Sequence, residues 1–215
     1  MPGHTERDFE TAIEAGLTGA GGYETRPPSD FDEARALFPA DVTGFLRDSQ
    51  PNRWGQVEAL LGDKTEATVL DSLGKELDVK GALHVLRYGF KCYGKTFRLA
   101  YFRPNTGMNP EAAALYARNR LTITRQVAFT SVLKRGDGKN RRCIIDVTLS
   151  INGLPVVTAE LKNPQTGQRA ADAIRQYSDD RDERDLLFTF KKRALVHFAV
   201  DPDEVWMTTR LKGRE

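Results

Sequence analysis

The sequence predicts a mixed α/β fold, a mixed sheet flanked by helices, with a helical N-terminal part and an extra strand pair. Acidic, alanine-rich segments at helical spacing fill roughly the first 80 residues. Beyond them, runs in which aromatic and β-branched residues alternate with polar ones take over. Helical patterns separate those runs, so the second part reads helix, three-strand meander, helix, strand.

The elements follow in order. "HTERDFETAIEAGL" offers Thr5 as a cap and sets Phe9, Ala12, Ile13 and Leu17 at helical spacing, so the chain opens with an amphipathic helix on which Glu6 and Glu10, four apart, share a face. The Gly-Pro-rich "TGAGGYETRPPS" interrupts it, and "DFDEARALF", "GQVEALLG" and "EATVLDSLGKEL" read as short helices. "ALHVLRYGF" and "KTFRLAYFRP" alternate and give a strand pair ended by Pro104. "NPEAAALYARN" is a short helix with Pro110 near its first position. Three strands come next, "LTITRQVAFTSVL", "RCIIDVTLSI" and "GLPVVTAELK", divided by the loop "KRGDGKN" and the Asn152-Gly153 turn. "QRAADAIRQYSDD" is a helix and "RALVHFAV" a strand.

The chain has 215 residues, 40% hydrophobic, enough for one domain with its own core. Charged residues of both signs make up 29%, and a net charge of +2 does not by itself establish a nucleic-acid partner. The two cysteines, Cys92 and Cys143, lack the spacing of a disulfide framework or a zinc site, and no signal peptide or apolar membrane span occurs, so a reducing, cytoplasmic setting is expected. His4, His84 and His197 are isolated, and His197 within "LVHFAV" reads as a core histidine.

The stretch "IIDVTLSINGLPVVTAELKNP" places charge inside strands otherwise made of Ile, Val and Leu. In the first strand Ile145, Val147 and Leu149 oppose Asp146, Thr148 and Ser150; in the second Val157, Ala159 and Leu161 oppose Thr158, Glu160 and Lys162. A two-residue Asn152-Gly153 loop would set apolar beside polar side chains. A three-residue loop, Ile151-Asn152-Gly153 with Gly153 left-handed in a bulge, pairs Val147 with Val157 and aligns the greasy faces. Asp146 then lies diagonally near Glu160, roughly 7 Å or less between β-carbons, with Lys162 one step further.

Two carboxylates that close repel unless a cation lies between them. A hard divalent ion, Mg²⁺ above all, meets that need and supports phosphodiester hydrolysis, with Lys162 placed to orient water or stabilise transition-state charge. The competing account is an outward-facing strand surface with a cross-strand ion pair.

At these residues the chain resembles the N-terminal nuclease domain of the restriction (R) subunit of type I restriction-modification enzymes, a branch of the PD-(D/E)xK superfamily. The likeness runs through "FRLAYFRPNTGMNPEAAALYARNRLTITRQVAF", "INGLPVVTAELKNPQTGQRAADAIRQYSDDR" and "LVHFAVDPDEVWMTTRL", over roughly residues 80–211, and includes the opening helix. The resemblance implies a restriction-endonuclease-like fold over residues 1–215, with a helix-rich insertion at about 24–80 and a catalytic core at about 81–211. It also implies Asp146 and Glu160 as metal-binding acids with Leu161 among the ligands, Lys162 as the catalytic lysine, and Gln176 as the glutamine of the QxxxY motif. The position four after Gln176 is Asp180, so Tyr177 inherits no role. Glu10, or alternatively Glu6, matches an opening-helix acid that adds a ligand. Mg²⁺, with Mn²⁺ as a substitute, is the implied cofactor. Double-stranded DNA and the modification and specificity subunits are the implied partners. ATP belongs only to the downstream motor domains of family members, which this chain lacks, as an excised domain or a truncated gene would.

Two rivals stand beside this reading. One is a non-catalytic DNA-binding or subunit-docking module. The other is a P-loop protein, since "GFKCYGKT" supplies Gly89, Gly94, Lys95 and Thr96 in the Walker A pattern; the alternating "TFRLAYFRP" that follows predicts a turn between strands instead of the helix a phosphate loop requires. Arg120, Arg125, "KRGDGKNRR", Arg169, Arg175 and "KKR" at 191–193 are candidate phosphate contacts, with ordinary solvation and pairing to "DDRDERD" as the alternative.

Overall fold

A computed structural model describes residues 6–106, 108–131, 141–163 and 167–212. The fold is mixed α/β, as the pattern of elements predicts. Its order is α1 (Glu6–Gly19), β1 (Tyr23–Thr25), α2 (Pro39–Ser49), α3 (Pro51–Leu61), α4 (Thr65–Lys80), α5 (Ala82–Tyr88), β2 (Phe90–Cys92), β3 (Lys95–Phe97), α6 (Pro110–Tyr116), β4 (Leu121–Ser131), β5 (Arg141–Ile151), β6 (Leu154–Leu161), α7 (Ala170–Asp179), β7 (Val196–Val200) and β8 (Val205–Thr208). One six-stranded sheet runs β1-β4-β5-β6-β7-β8, and β2-β3 form a separate hairpin. The meander β4-β5-β6 is antiparallel, whereas β1 joins β4 and β7 joins β6 in parallel, the latter after the crossover through α7.

Helices cover both faces of the sheet. Phe9, Ile13 and Leu17 of α1 pack on Ile123, Val147, Ala159 and Leu161. On the opposite face Tyr177 of α7 bonds Thr158, which also bonds His197. Helices α2 to α5 and the β2-β3 hairpin form a lobe around Phe45, Leu46, Leu73, Leu77 and Val85, and it meets the sheet at Leu154 and Ile151, the turn end of the β5-β6 hairpin. No helix of the described residues is long and apolar enough to cross a membrane. Cys92 and Cys143 are buried and free.

Several expectations need correction. "ALHVLRY" is helix α5, not a strand: Ala82, Val85 and Leu86 are its buried residues, at helical spacing, and Gly81 and Gly89 bound it with positive φ. The strand pair is instead the tight β2-β3 hairpin, turned by Tyr93 and Gly94 at positive φ, so Lys95 and Thr96 open a strand and the P-loop reading fails for want of a helix. "DFDEARALF" is a turn closed by an isolated bridge between Asp32 and Leu37. Strands β1 and β8 were not foreseen; both are short and lie at the sheet's edges.

Candidate functional site

The β5-β6 turn has two residues, not three. Asn152 and Gly153 both adopt positive φ, 50° and 82°, and Ile151 pairs with Leu154. The parity conflict this creates is resolved one step later, where the register shifts between Leu149 and Ser150 opposite Pro155. Val147 then faces Ala159 as the last pair of the ladder, and Asp146 and Glu160 are the next positions beyond it. The bulge thus aligns Val147 and Leu149 with Ala159 and Val157 as a longer loop was expected to do, but Ile145 packs with Tyr177 and Phe188 on the α7 side, so the expected apolar face of Ile145, Val147 and Leu149 breaks at Asp146. The face that carries these polar residues is not solvated, however: Thr148, Ser150 and Thr158 are buried.

Pairing of β5 with β6 stops at Val147 and Ala159, while β5 stays with β4 as far as Arg141 and β6 stays with β7 as far as Leu161. The two strands therefore part at Asp146 and Glu160. In the fork the Leu161 N–H donates to Asp146 Oδ2 at 2.8 Å. The other oxygen, Oδ1, receives only a long bond of 3.4 Å from Gln126 Nε2, which also donates to Glu10 Oε1 at 2.8 Å. Gln126 holds a left-handed φ of 55° within β4. Below it Ile123 packs with α1, and above it Val127 packs with Tyr177 and Phe188, so the strand's apolar side changes face there. Such a backbone conformation is costly outside glycine, and it aims this amide between two carboxylates.

Glu160 is fully buried, and Arg181, itself 7% exposed, donates to its Oε1 through Nε and Nη2 at 2.9 and 2.6 Å. Among the described residues Glu160 Oε2 has no hydrogen-bond partner. Burial pushes the Glu160 carboxyl up to about 8, against the pull of Arg181, and Asp146 adds to the rise. Burial also raises Glu10, against the pull of Arg125, and Asp146 contributes again. Lys162 sits beside this cluster, its Nζ 3.4 Å from Glu6 Oε1. Gln176 lines an open depression of about 390 Å³ with Lys162, Gln168, Asp172 and Arg175.

The structure thus gathers Asp146, Glu160, Leu161, Lys162 and both opening-helix acids, Glu6 and Glu10, and sets Gln176 on the wall next to Lys162. Tyr177 is a core residue, its hydroxyl 3.0 Å from Thr158 Oγ1. His197, also buried, bonds the same hydroxyl, as a core histidine should. Four of the expected phosphate contacts are engaged elsewhere. Arg125 is held by Glu10 and Glu14, Arg120 by Asp48, and Arg175 by Asp172; Arg193, at 1% exposure, bonds Asp78 and the Arg35 carbonyl. Of "KRGDGKNRR", residues 134–140 lie outside the described residues.

Sequence reasoning missed Arg181 and Gln126. Arg181 stands in "SDDRDERD", where nothing in the spacing singles out one arginine. Gln126 left a trace, because "RQ" interrupts the apolar alternation of "LTITRQVAF".

A divalent ion fits this donor set. A buried carboxylate oxygen without a partner is costly, and Glu160 Oε2 stands in a site shared with Asp146, where mutual repulsion favours a cation. No three His, Cys, Asp or Glu side chains among the described residues form a self-sufficient metal site. A hard ion here would complete its shell with main-chain, water or phosphate oxygens, as Mg²⁺ does.

A family model for the N terminus of type I restriction enzyme R proteins matches residues 61–215. No curated protein matches the chain.

Proposed function

The chain belongs to the family of the type I restriction enzyme R protein N terminus, and from that premise we propose that it is a Mg²⁺-dependent endonuclease domain that hydrolyses DNA phosphodiester bonds within a type I restriction-modification system. The observation that carries the reading is the fork: two acids where β5 and β6 part, one buried oxygen without a partner among the described residues, and a lysine beside them.

Asp146, Glu160 and the main-chain carbonyl of Leu161 would hold the ion, since the Leu161 side chain is apolar and buried; Mn²⁺ can replace Mg²⁺ at such oxygen sites, and Glu10 adds an acid through Gln126. The ion would polarise a phosphate and lower the pKa of a water. Lys162 supplies a preorganised donor for the charge that develops on the phosphate oxygens, and Glu6 limits where its ammonium rests. Gln176 is placed to orient water or a phosphate oxygen from the wall of the depression. None of these groups reads bases, so sequence choice falls to partner subunits for specificity and modification.

A plasmid-nicking assay in Mg²⁺ or Mn²⁺ tests this. Nicking by the wild-type chain, or by a complete type I enzyme carrying it, should vanish in Asp146→Ala. Equal nicking by both would sink the reading and favour a non-catalytic DNA-binding or docking module.

A further inference from the structure

Arg181 and Glu160 do not pair as arginine and carboxylate ordinarily do. The common arrangement is fork to fork, two parallel N–H bonds to two oxygens, which satisfies the carboxylate completely. Here Nε and Nη2 converge on the single oxygen Oε1, and Nη2 also donates to the Ile144 carbonyl at 2.7 Å. The guanidinium lies over the Phe129 ring, 5.6 Å from its centroid. These restraints act on a rigid, planar group, so they fix its orientation and through it the rotation of the carboxylate. The result is one committed oxygen and one buried oxygen, Oε2, without a donor among the described residues.

An orphaned buried acceptor costs stability, and one further partner at Oε2 would relieve that cost. We propose that Arg181 is a positioning residue of the reaction: by occupying Oε1 of Glu160, and only Oε1, it reserves Oε2 for the divalent cation at the Asp146–Glu160 fork. The inference rests on the metal-dependent reading of that site. Removing Arg181 has two opposing effects on cation binding. One repulsive charge disappears, but a fully buried carboxylate loses its only donor among the described residues and is free to rotate. The second effect dominates, since breaking a buried pair by deleting one partner leaves the other uncompensated.

Calorimetric titration of Mn²⁺ into the 215-residue chain tests this with no cleavage readout. The wild type should bind and Asp146→Ala should not. Arg181→Met keeps both acids and much of the side-chain volume, and its affinity should fall about ten-fold or more. Arg181→Lys, which can still donate to Oε1, should lie between the two. Wild-type affinity or better in Arg181→Met, with Asp146→Ala still inactive in binding, would overturn the inference alone. A wild-type chain that binds no divalent ion would overturn it together with the reading beneath it. A measurement on the wild type covers variants that fail to fold. The Arg181 Nε–H resonance should stay in slow exchange at saturating Mg²⁺, because its bond to Oε1 persists; its loss would mean that the cation displaces Arg181.

Discussion

At the scale of a single residue, the proposed role of Lys162 would separate chemistry from binding. It carries charge into the cluster without being a metal ligand, and its ammonium lies 3.4 Å from Glu6 Oε1. Lys162→Ala should therefore leave Mn²⁺ affinity nearly intact, or slightly raised, while cleavage falls by about 10²-fold or more, the scale for losing one preorganised transition-state contact. A variant that cuts at the wild-type rate would reduce Lys162 to an ordinary strand end. His197 makes a different prediction. Burial pushes its pKa down to about 4, while the unfolded chain titrates near the ordinary value of about 6.5. Above that value the ring is neutral in both states. As pH falls from 6.5 to 4 the unfolded state takes up a proton that the folded state refuses, so stability is lost progressively across that window. Urea unfolding at several pH values should show this decline, and His197→Gln should flatten it. An unchanged slope in the variant would assign the decline to other groups.

Among elements, the β5-β6 hairpin shows how far the sequence could be read. The shared face of Val147 and Ala159 was legible, because strand side chains alternate and two greasy faces must coincide, but the alternation breaks at Asp146, since Ile145 packs with Tyr177 on the other side of the sheet. The device that achieves it was not foreseen, although a signal was present: Pro155 cannot donate to a ladder and marks the irregular pairing with Ser150. The strand reading of "ALHVLRYGF" failed for the opposite reason. Its aromatic and β-branched composition suits a strand, but tertiary burial of Ala82, Val85 and Leu86 on the lobe decides for a helix. The turn itself is tightly specified. Gly153 has φ 82°, and a β-carbon there would come within 2.5 Å of the Phe38 carbonyl and 2.6 Å of a Val42 methyl. Phe38 N–H also donates to the Gly153 carbonyl at 2.8 Å, which ties the lobe to the hairpin. Gly153→Ala should cost about 2 kcal/mol or more in chemical denaturation, combining the left-handed penalty with a backbone clash. A loss under about 0.5 kcal/mol, the range of an ordinary surface change, would show that the lobe does not grip the turn.

At the scale of the whole molecule, the site is assembled from segments remote in sequence. The acids of α1 meet Gln126 of β4 and Lys162 just past β6 across more than half the chain, and Arg181 returns from beyond α7. Local pattern can order such segments but cannot say which arginine or glutamine will face a buried carboxylate; only their packing does. On the proposed reading, the same assembly would couple metal binding to global stability. Burial raises Glu160 and Glu10, and the nearby Asp146 adds to both, so the ion-free fold holds acids that disfavour one another's ionisation. A ligand that binds only the folded state adds about 2.7 kcal/mol at a hundred times its dissociation constant. For a chain of this size each kcal/mol moves the melting temperature by roughly 2–4 °C, so saturating Mn²⁺ should raise it by about 5–10 °C. Asp146→Ala relieves the repulsion while removing a ligand. Its ion-free melting temperature should match or exceed that of the wild type, and the Mn²⁺ shift should disappear. The two effects have opposite signs in one variant, which general damage to the fold cannot imitate. An Asp146→Ala protein that melts lower without metal yet keeps the Mn²⁺ shift would place the ion elsewhere and leave the fork as a plain cross-strand contact.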